Sequence, residues 1–419
     1  MKRKSNCNHE RVNENERFKI KLDENFFEKF YVAPIDKFSG YAPLYRQPIE
    51  FGHFSLDSNR CYHNNAKQLR YYKPPKSEIK LNFDLKLGYD NCILRNEDNK
   101  EGLDNLLKWL QDNKKLFSNG KEIAKNNSLN TDFVTWRGHL TKILCAPYEN
   151  NEPWKMAATL FNGTIYISEV ETEKAKFDRS NRSPKHQEMC YWGYKFESYL
   201  TESMQEQQDL NPVVNTNEAF CSVVRTRLNK NSIICGAEVD CCIKEDKSKS
   251  PSNYIELKTT RIMNNYRQNE NFARYKLLKF WAQSFLAGIP KIVVGMRDDE
   301  GIVKEIKSFN TLSIPGICKE YSKKWDANVA LNFLDGILNW LKKVVVIDNP
   351  NVVYMIEFAE PFSYVSLQVF KEGSESFLPD WYTSNAVGQF FGNCVTVSQC
   401  FGNCVTVSQS FSNFEVNNV

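Results

Sequence analysis

The sequence predicts an α+β fold in a single large domain, with a central mixed, largely antiparallel sheet flanked by helices. Runs rich in β-branched and aromatic residues follow one another across turn signals such as Asn162–Gly163 and Asp298–Gly301. Segments with apolar residues at helical spacing lie between these runs. No stretch of the 419 residues has the composition of a linker that would split the domain.

In the first half of the chain, residues 1–22 are polar and predicted to be flexible, and residues 27–72 are predicted to form loops and short strands. The apolar spacing in Gly102–Phe117, with Asp104 near its start, predicts a helix. The segment FVTWRGHLTKILCAPY is predicted to be a strand that contains Arg137. A hairpin follows in WKMAATLFNGTIYISEVET, and HQEMCYWGYKFESYLTES is predicted to be a helix interrupted at Gly193.

The second half continues with predicted strands in FCSVVRTRL, SIICGAEVDCCIKE and NYIELKTTRI. A long helix, NENFARYKLLKFWAQSFLAGIP, is expected to stop at Gly288 and Pro290. A hairpin in KIVVGMRDDEGIVKEIKSF, a helix in NVALNFLDGILNWLKKVV and a strand in VVYMIEFAEPFSYVSLQVF complete the domain, which is predicted to span residues 23–383.

The remaining residues, 384–419, form a tail of different character. The nonapeptide FGNCVTVSQ at Phe391–Gln399 returns unchanged at Phe401–Gln409. Two copies are too few for a solenoid, which needs about three repeats to bury a core. We interpret the tail as a recent duplication in a dispensable, disordered segment; the alternative is an uncharged, β-prone segment for self-association.

The composition is that of an ordinary globular protein, with 41% hydrophobic and 25% charged residues. No apolar stretch approaches eighteen residues, so no membrane partner is expected. The net charge of +4 permits a local basic groove without arguing for one. The thirteen cysteines are scattered without a CxxC pair, so reduced intracellular thiols are expected rather than a disulfide framework or a zinc site.

The stretch GAEVDCCIKEDKSKSPSNYIELKTT carries the most informative charged residues. On a strand, residues two apart share a face, so Glu238 and Asp240 point the same way, as do Glu256 and Lys258. If the two strands pair, these four side chains converge. Crowded carboxylates repel unless a cation lies among them, and oxygen ligands suit magnesium or manganese. A lysine beside such a site can orient water, so the pattern is typical of a metal-dependent phosphodiesterase. The simpler alternative is a solvated strand face.

Four other residues add to this pattern. Arg137 could bind a phosphate bidentately, and Glu197, on a predicted helix, could supply another metal ligand. Lys279 and Gln283 are four residues apart on one helix face, where they could hold a phosphate or a base. Each signal is weak alone, since surface ion pairs and solvated acids are common.

The order and wording of six motifs closely resemble the DXO family of RNA 5′-end decapping exonucleases. The resemblance spans roughly Phe27 to Tyr382, and FLPDWY resembles the usual end of that fold. The six motifs, in chain order, are WRGHLTKI, GYKFESY, GAEVDC, IELKTT, KFWAQSFLAGIP and VGMRDDEGIV.

The resemblance implies a fold related to the PD-(D/E)xK nucleases and a site for two divalent ions, magnesium or manganese. It implies metal binding by Glu197, Glu238, Asp240, Glu256 and the backbone carbonyl of Leu257. Catalysis would fall to Glu238, Asp240, Glu256 and Lys258, and substrate binding to Arg137, Lys258 and Gln283.

The function implied is removal of incomplete caps, NAD caps or a 5′ triphosphate as an intact unit, followed by 5′ to 3′ degradation of the RNA. The expected partners are RNA 5′ ends and a separate 5′–3′ exoribonuclease; a monomer and a nuclear rather than cytoplasmic location are also expected. The alternative from another class is a non-catalytic protein that binds RNA ends or stabilises such an exoribonuclease. A DNA nuclease of the wider PD-(D/E)xK class is a third hypothesis.

Overall fold

The structure is a computed structural model that describes residues 26–75, 81–117, 128–203, 213–244, 250–321, 324–370 and 375–384. The strands within these ranges are β1 (Phe27–Tyr31), β2 (Tyr45–Leu56), β3 (Tyr62–His63), β4 (Arg70–Tyr72), β5 (Phe83–Asp84), β6 (Phe133–Trp136), β7 (Trp154–Phe161), β8 (Thr164–Val170), β9 (Thr201–Ser203), β10 (Ala219–Leu228), β11 (Asn231–Glu238), β12 (Cys241–Cys242), β13 (Tyr254–Arg261), β14 (Lys291–Arg297), β15 (Ile302–Asn310), β16 (Val353–Phe358) and β17 (Tyr364–Phe370). The α-helices are α1 (Asp104–Asp112), α2 (Arg137–Cys145), α3 (Glu173–Ser180), α4 (Pro184–Leu200), α5 (Tyr266–Asn271), α6 (Leu278–Ala287), α7 (Ile314–Tyr321), α8 (Ala327–Val344) and α9 (Asp380–Thr383). None of these helices is both long and apolar enough to cross a membrane.

The strands form two sheets rather than the one that the sequence predicts. The ten-stranded sheet has the order β1-β17-β16-β7-β8-β6-β11-β10-β2-β3, and the seven-stranded sheet β5-β15-β14-β13-β12-β4-β9. Most neighbours are antiparallel, but β6 is parallel to both β8 and β11, and β13 is parallel to β14. The predicted α+β class with mixed, largely antiparallel pairing is therefore confirmed, while the chain divides its strands between two layers.

Helices cover both faces of the larger sheet. On one face α2, α6 and α8 bury residues such as Leu140, Trp281 and Phe333 in a shared core. On the other face α1 packs Trp109 among buried residues of β2 and β10. In the smaller sheet, α4 lays Trp192 and Phe196 against β13 and β14. Because burial of large apolar side chains dominates folding energetics, these contacts fix where α2, α4 and α6 enter the region between the sheets.

The sequence predicts that Arg137 lies within a strand, but the structure does not place it there. Strand β6 ends at Trp136, and Arg137 is the first residue of helix α2. The apolar run is short, and the residues after it bury Leu140, Ile143 and Leu144 at helical spacing. A short apolar run cannot be assigned to strand or helix by periodicity alone, so the prediction was wrong at this boundary.

Other elements also differ from the sequence-based assignment. Helix α4 is continuous through Gly193, where an added Cβ would meet no atom within 4 Å, so the glycine neither interrupts the helix nor serves a close approach. The predicted last strand is a hairpin, β16 and β17, and the region expected to be irregular contains the twelve-residue strand β2. The long helix of residues 266–287 is confirmed, with a π-helical segment at Phe272–Leu277 and its end at Gly288 in the left-handed conformation, φ +75°. The N-terminal residues 1–22 and both copies of FGNCVTVSQ lie outside the described residues, so the predictions about them stay predictions.

Candidate active site

The chain crosses from one sheet to the other at the most informative motif. Strand β11 of the larger sheet ends at Glu238, and β12 of the smaller sheet starts at Cys241, where it pairs with Ile255 of β13. Between them Val239 is buried and its backbone N–H donates to Phe220 O at 3.0 Å. Glu238 and Asp240 therefore flank a junction between sheets. The pairing considered from the sequence exists only at Cys241 and Cys242, whereas Glu238 lies on β11 of the other sheet.

A cavity of about 880 Å³ opens at this junction. The predicted site side chains that line it are Arg137, Glu197, Glu238, Asp240, Glu256, Lys258 and Gln283. They come from α2, α4, the β11–β12 crossing, β13 and α6, so five separate parts of the chain supply one site.

Glu256 is the most deeply buried of the acids, with 1% of its surface exposed. Its Oε1 lies 2.6 Å from Lys258 Nζ, and its Oε2 lies 3.7 Å from Arg137 Nη2. Burial alone would raise the pKa of Glu256, but Lys258 and Arg137 outweigh it and hold the pKa below its ordinary value. Glu256 is thus a carboxylate kept ionised in the interior by two cations.

Asp240 and Glu197 show the opposite behaviour. Burial, together with the charge of Glu256, raises the pKa of Asp240 to about 7, although the backbone N–H of Leu257 donates to Asp240 Oδ2 at 2.6 Å. Burial and the charge of Asp240 raise the pKa of Glu197 well above its ordinary value. The ionised forms of both groups are therefore disfavoured by burial and by neighbouring carboxylates. A bound cation would stabilise these ionised forms and lower both pKa values.

The donor chemistry fits a divalent cation. The acids of the cavity offer carboxylate oxygens, which hard cations prefer, and the buried Oε2 of Glu256 has no hydrogen-bond partner among the described residues. Within the described residues, no three acid, histidine or cysteine side chains converge closely enough to form a finished metal cage.

The position of Arg137 is set by the start of helix α2, and that of Gln283 by the face of helix α6 on which it lies. As the first residue of α2, Arg137 reaches back so that its Nη2 donates to Glu238 O at 3.1 Å. Gln283 turns toward the cavity while its neighbours Ala282 and Ser284 are buried. Lys279, predicted to share a role with Gln283, instead forms an ion pair with Glu149 at 3.3 Å and lies outside the residues lining the cavity.

One cavity residue that the sequence did not reveal is Arg60. Its Nη2 lies 3.5 Å from Glu238 Oε1, and its Nε donates to Glu101 Oε1 at 2.8 Å. Although burial opposes it, these two acids raise the pKa of Arg60 above its ordinary value. Arg60 stands in a loop 178 positions before Glu238, so no periodicity or local motif could have pointed to it.

The cavity lies between two sheets and is lined by acids, by the lysine of the Glu-x-Lys strand and by side chains that can donate hydrogen bonds to a phosphate. This arrangement defines a metal-dependent nuclease of the PD-(D/E)xK kind. Comparison with known proteins names the family. The model of the RAI1-like PD-(D/E)XK nuclease family matches residues 46–383, and the chain belongs to that family. The resemblance seen in the sequence is therefore confirmed.

Relatives and solved structures agree with this assignment. The chain is 44% identical over 354 residues to the decapping and exoribonuclease protein of Xenopus laevis, covering 83% of this chain and 88% of that one. The fold matches Scheffersomyces stipitis Rai1 in complex with (3′-NADP)+ and a calcium ion, with a TM-score of 0.70, 28% identity, and 81% and 93% of the two chains covered. It also matches Candida albicans Rai1 in complex with pU5 and Mn2+, with a TM-score of 0.69, 25% identity, and 83% and 94% covered.

Proposed function

We propose that this protein is a hydrolase that removes unusual or incomplete 5′ ends from RNA, such as an NAD cap, an unmethylated cap or a triphosphate, as an intact unit. It then degrades the RNA body from 5′ to 3′, in quality control of RNA 5′ ends. The observation that carries the proposal is the ionised, buried Glu256 with Lys258 and Arg137, in one cavity with the other acids and Gln283. The names of the relatives support the choice of RNA 5′ ends as substrate.

In this proposal the residues of the chain divide the chemistry. Glu197, Glu238, Asp240, Glu256 and the carbonyl of Leu257 would hold two magnesium or manganese ions, which when bound stabilise negative charge on the reacting phosphate and make water more acidic. The calcium and manganese in the Rai1 structures support a divalent ion at this place. The Leu257 N–H keeps Asp240 in place by its hydrogen bond.

The cationic and polar side chains act on the substrate. Arg137 and Gln283 would hold the phosphate that reacts, since a guanidinium presents a planar fork that matches two phosphate oxygens. Lys258, with one quarter of its side-chain surface exposed, would orient the attacking water and donate a hydrogen bond to the phosphate. Trp136 and Tyr194 also line the cavity and offer rings on which bases can stack.

The proposal extends to partner, assembly and location. We propose that the protein acts as a monomer, that a 5′–3′ exoribonuclease is a partner, and that the protein is nuclear. The basic run Lys2-Arg3-Lys4 supports a nuclear address. A fluorescent fusion with and without that run tests the location, and co-purification with sedimentation of the pure protein tests the other two.

The decisive experiment incubates the purified protein with RNAs that carry 5′ NAD, triphosphate, unmethylated cap, mature cap or hydroxyl ends. Each RNA is tested with magnesium, with manganese and with EDTA, using the parent protein and the Asp240→Asn and Glu256→Gln variants. Release of the intact 5′ group that needs the metal and falls by at least about 100-fold in both variants would support the proposal. Glu300→Gln, an exposed acid outside the cavity, is the matched control and should leave the rate unchanged.

Two outcomes would contradict it. Capped RNA that binds without being cleaved would favour the non-catalytic alternative, in which the acids form a binding platform. Equal cleavage of DNA and RNA of one sequence would favour a general DNA nuclease instead.

A further inference from the structure

The cavity is lined by four arginines, and these divide into two groups. Arg60 and Arg137 each lie within ion-pair distance of an acid of the site. Arg70 and Arg95 also line the cavity and are half-buried, but neither forms an ion pair with any residue that the structure describes. A charged group withdrawn from water without a counter-ion is unfavourable, so these two guanidinium groups need an explanation.

Arg70 is held firmly at one side of its guanidinium. Its Nε donates to Thr201 Oγ1 at 2.6 Å, and that hydroxyl donates to the backbone carbonyl of Glu197 at 2.7 Å. This chain of hydrogen bonds ties Arg70, on strand β4, to the end of helix α4 that carries Glu197. The two Nη groups of Arg70 donate no hydrogen bond to any described residue, so the fork is fixed in place with four N–H donors available to the cavity.

The electrostatics of Arg70 favour the binding of an anion. Burial lowers the pKa of Arg70, and the more distant acids Glu218 and Glu197 do not compensate for this. An arginine remains charged in proteins even when its pKa is lowered. A bound anion would therefore offset the desolvation free energy of the buried guanidinium. The acids of the site do not serve as that anion, because in the described residues none comes within 4.0 Å of Arg70.

Arg95 lies in the loop that follows β5 and is positioned independently. Its backbone N–H donates to Thr216 Oγ1 at 2.7 Å, in a segment that also borders the cavity. The backbone of Arg95 is therefore fixed, and no acid among the described residues lies within ion-pair distance of its side chain.

We propose that Arg70, together with Arg95, forms a second phosphate-binding position in the cavity, distinct from the position of Arg137 and Gln283 at the reacting phosphate. The ligand is a phosphate of the RNA substrate, because a planar guanidinium fork with unused donors matches phosphate oxygens bidentately. This inference rests on the proposed function, since it concerns the same substrate. The phosphate can come from the 5′ terminal group or from the backbone of the RNA body.

The test measures equilibrium binding of the full chain to RNA, with every protein carrying Asp240→Asn so that the RNA stays intact. Fluorescence anisotropy gives Kd for a labelled RNA of about ten nucleotides at several salt concentrations. Arg70→Gln and Arg95→Gln are each expected to raise Kd by about 10-fold at low salt, and to reduce the slope of log Kd against log salt by about 0.7. Arg70→Lys should recover part of the affinity. The control is Arg261→Gln, an exposed arginine paired with Asp299 outside the cavity, which should change neither quantity.

Three RNAs distinguish the two sources of phosphate. An equal loss of affinity for 5′-hydroxyl, 5′-monophosphate and 5′-triphosphate RNA would assign the position to the RNA body. A loss confined to the triphosphate would assign it to the 5′ terminal group. Either result supports the inference.

Two results would overturn it. One is binding of all three RNAs by Arg70→Gln and Arg95→Gln with the Kd and salt slope of the parent. The other is weaker binding with an unchanged salt slope and a lower melting temperature, which would make the arginines structural. Should Arg70→Gln fail to fold, Arg70→Lys and Arg95→Gln still decide the question. Failure of the proposed function itself is seen separately, as absence of cleavage by the unsubstituted protein.

Discussion

Replacing Lys258 with methionine is expected to destabilise the fold strongly, because it leaves the buried carboxylate of Glu256 without its nearest cation. Glu256 is 1% exposed, and its Oε1 lies 2.6 Å from Lys258 Nζ. Breaking a buried pair by removing one partner costs about 3–5 kcal/mol. The value here should be about 3 kcal/mol, at the low end of that range, because Arg137 remains 3.7 Å from the other oxygen and Lys258 is one quarter exposed.

The assay is urea unfolding in EDTA, read by fluorescence, with a double-mutant cycle. In the Glu256→Gln background, Lys258→Met should cost less than about 1 kcal/mol, which gives a coupling energy of about 2 kcal/mol. For a fold of about 350 residues, a loss of 3 kcal/mol corresponds to a fall in Tm of about 4 °C. Lys304→Met, which removes a partly exposed pair with Asp298, is the matched control and should cost less than about 1 kcal/mol.

The reasoning would be refuted if the two substitutions were additive to within about 0.5 kcal/mol, since coupled neighbours depart from additivity by more than that. It would also be refuted if Lys258→Met cost no more than Lys304→Met. In either case the carboxylate of Glu256 would not depend on Lys258 for its charge.

Three further predictions concern pH, packing and metal. Burial lowers the pKa of His139 to about 4; the unfolded chain therefore binds a proton that the folded chain does not, and stability should fall by about 3 kcal/mol as the pH drops from about 6.5 to 4. Unfolding curves of His139→Gln should lack that share of the pH dependence, and identical slopes would contradict the prediction. Gly236→Ala places a Cβ 2.6 Å from the ring of Trp136 and should cost about 1–3 kcal/mol in urea unfolding, whereas Gly138→Ala, with no atom within 4 Å, should not destabilise. Manganese at about 100 times its Kd should stabilise the parent by about 2.7 kcal/mol and raise Tm by about 3–4 °C in differential scanning fluorimetry; an equal rise in Asp240→Asn would show that the ion binds elsewhere.

The sequence by itself determined the class of fold and most of the regular elements. The hairpins at Asn162–Gly163 and at residues 298–301 form where turn residues interrupt β-branched runs, because those signals are local and depend on backbone geometry alone. Boundaries were less predictable. Arg137 begins a helix rather than lying in a strand because the burial of Leu140 and Leu144 against other helices decides the conformation there.

The sequence also determined which side chains line the site, for those residues that belong to the ordered motifs. Glu238, Asp240, Glu256 and Lys258 lie on or beside strands, where alternation orients neighbouring side chains, and the cavity does contain all four. Their roles toward metal and substrate stay predictions until the variants are measured.

Only the tertiary structure decided what surrounds those side chains. The division of the strands between two sheets depends on pairing along the whole chain. Arg137, which helps Lys258 to keep Glu256 ionised, and Arg60, which contacts Glu238, are both far along the chain from those acids. The same holds for the guanidinium of Arg70, fixed by Thr201 but without an acid partner in the described residues. Periodicity reports which way a side chain points from its own backbone, whereas burial and charge balance depend on which distant segments pack around it.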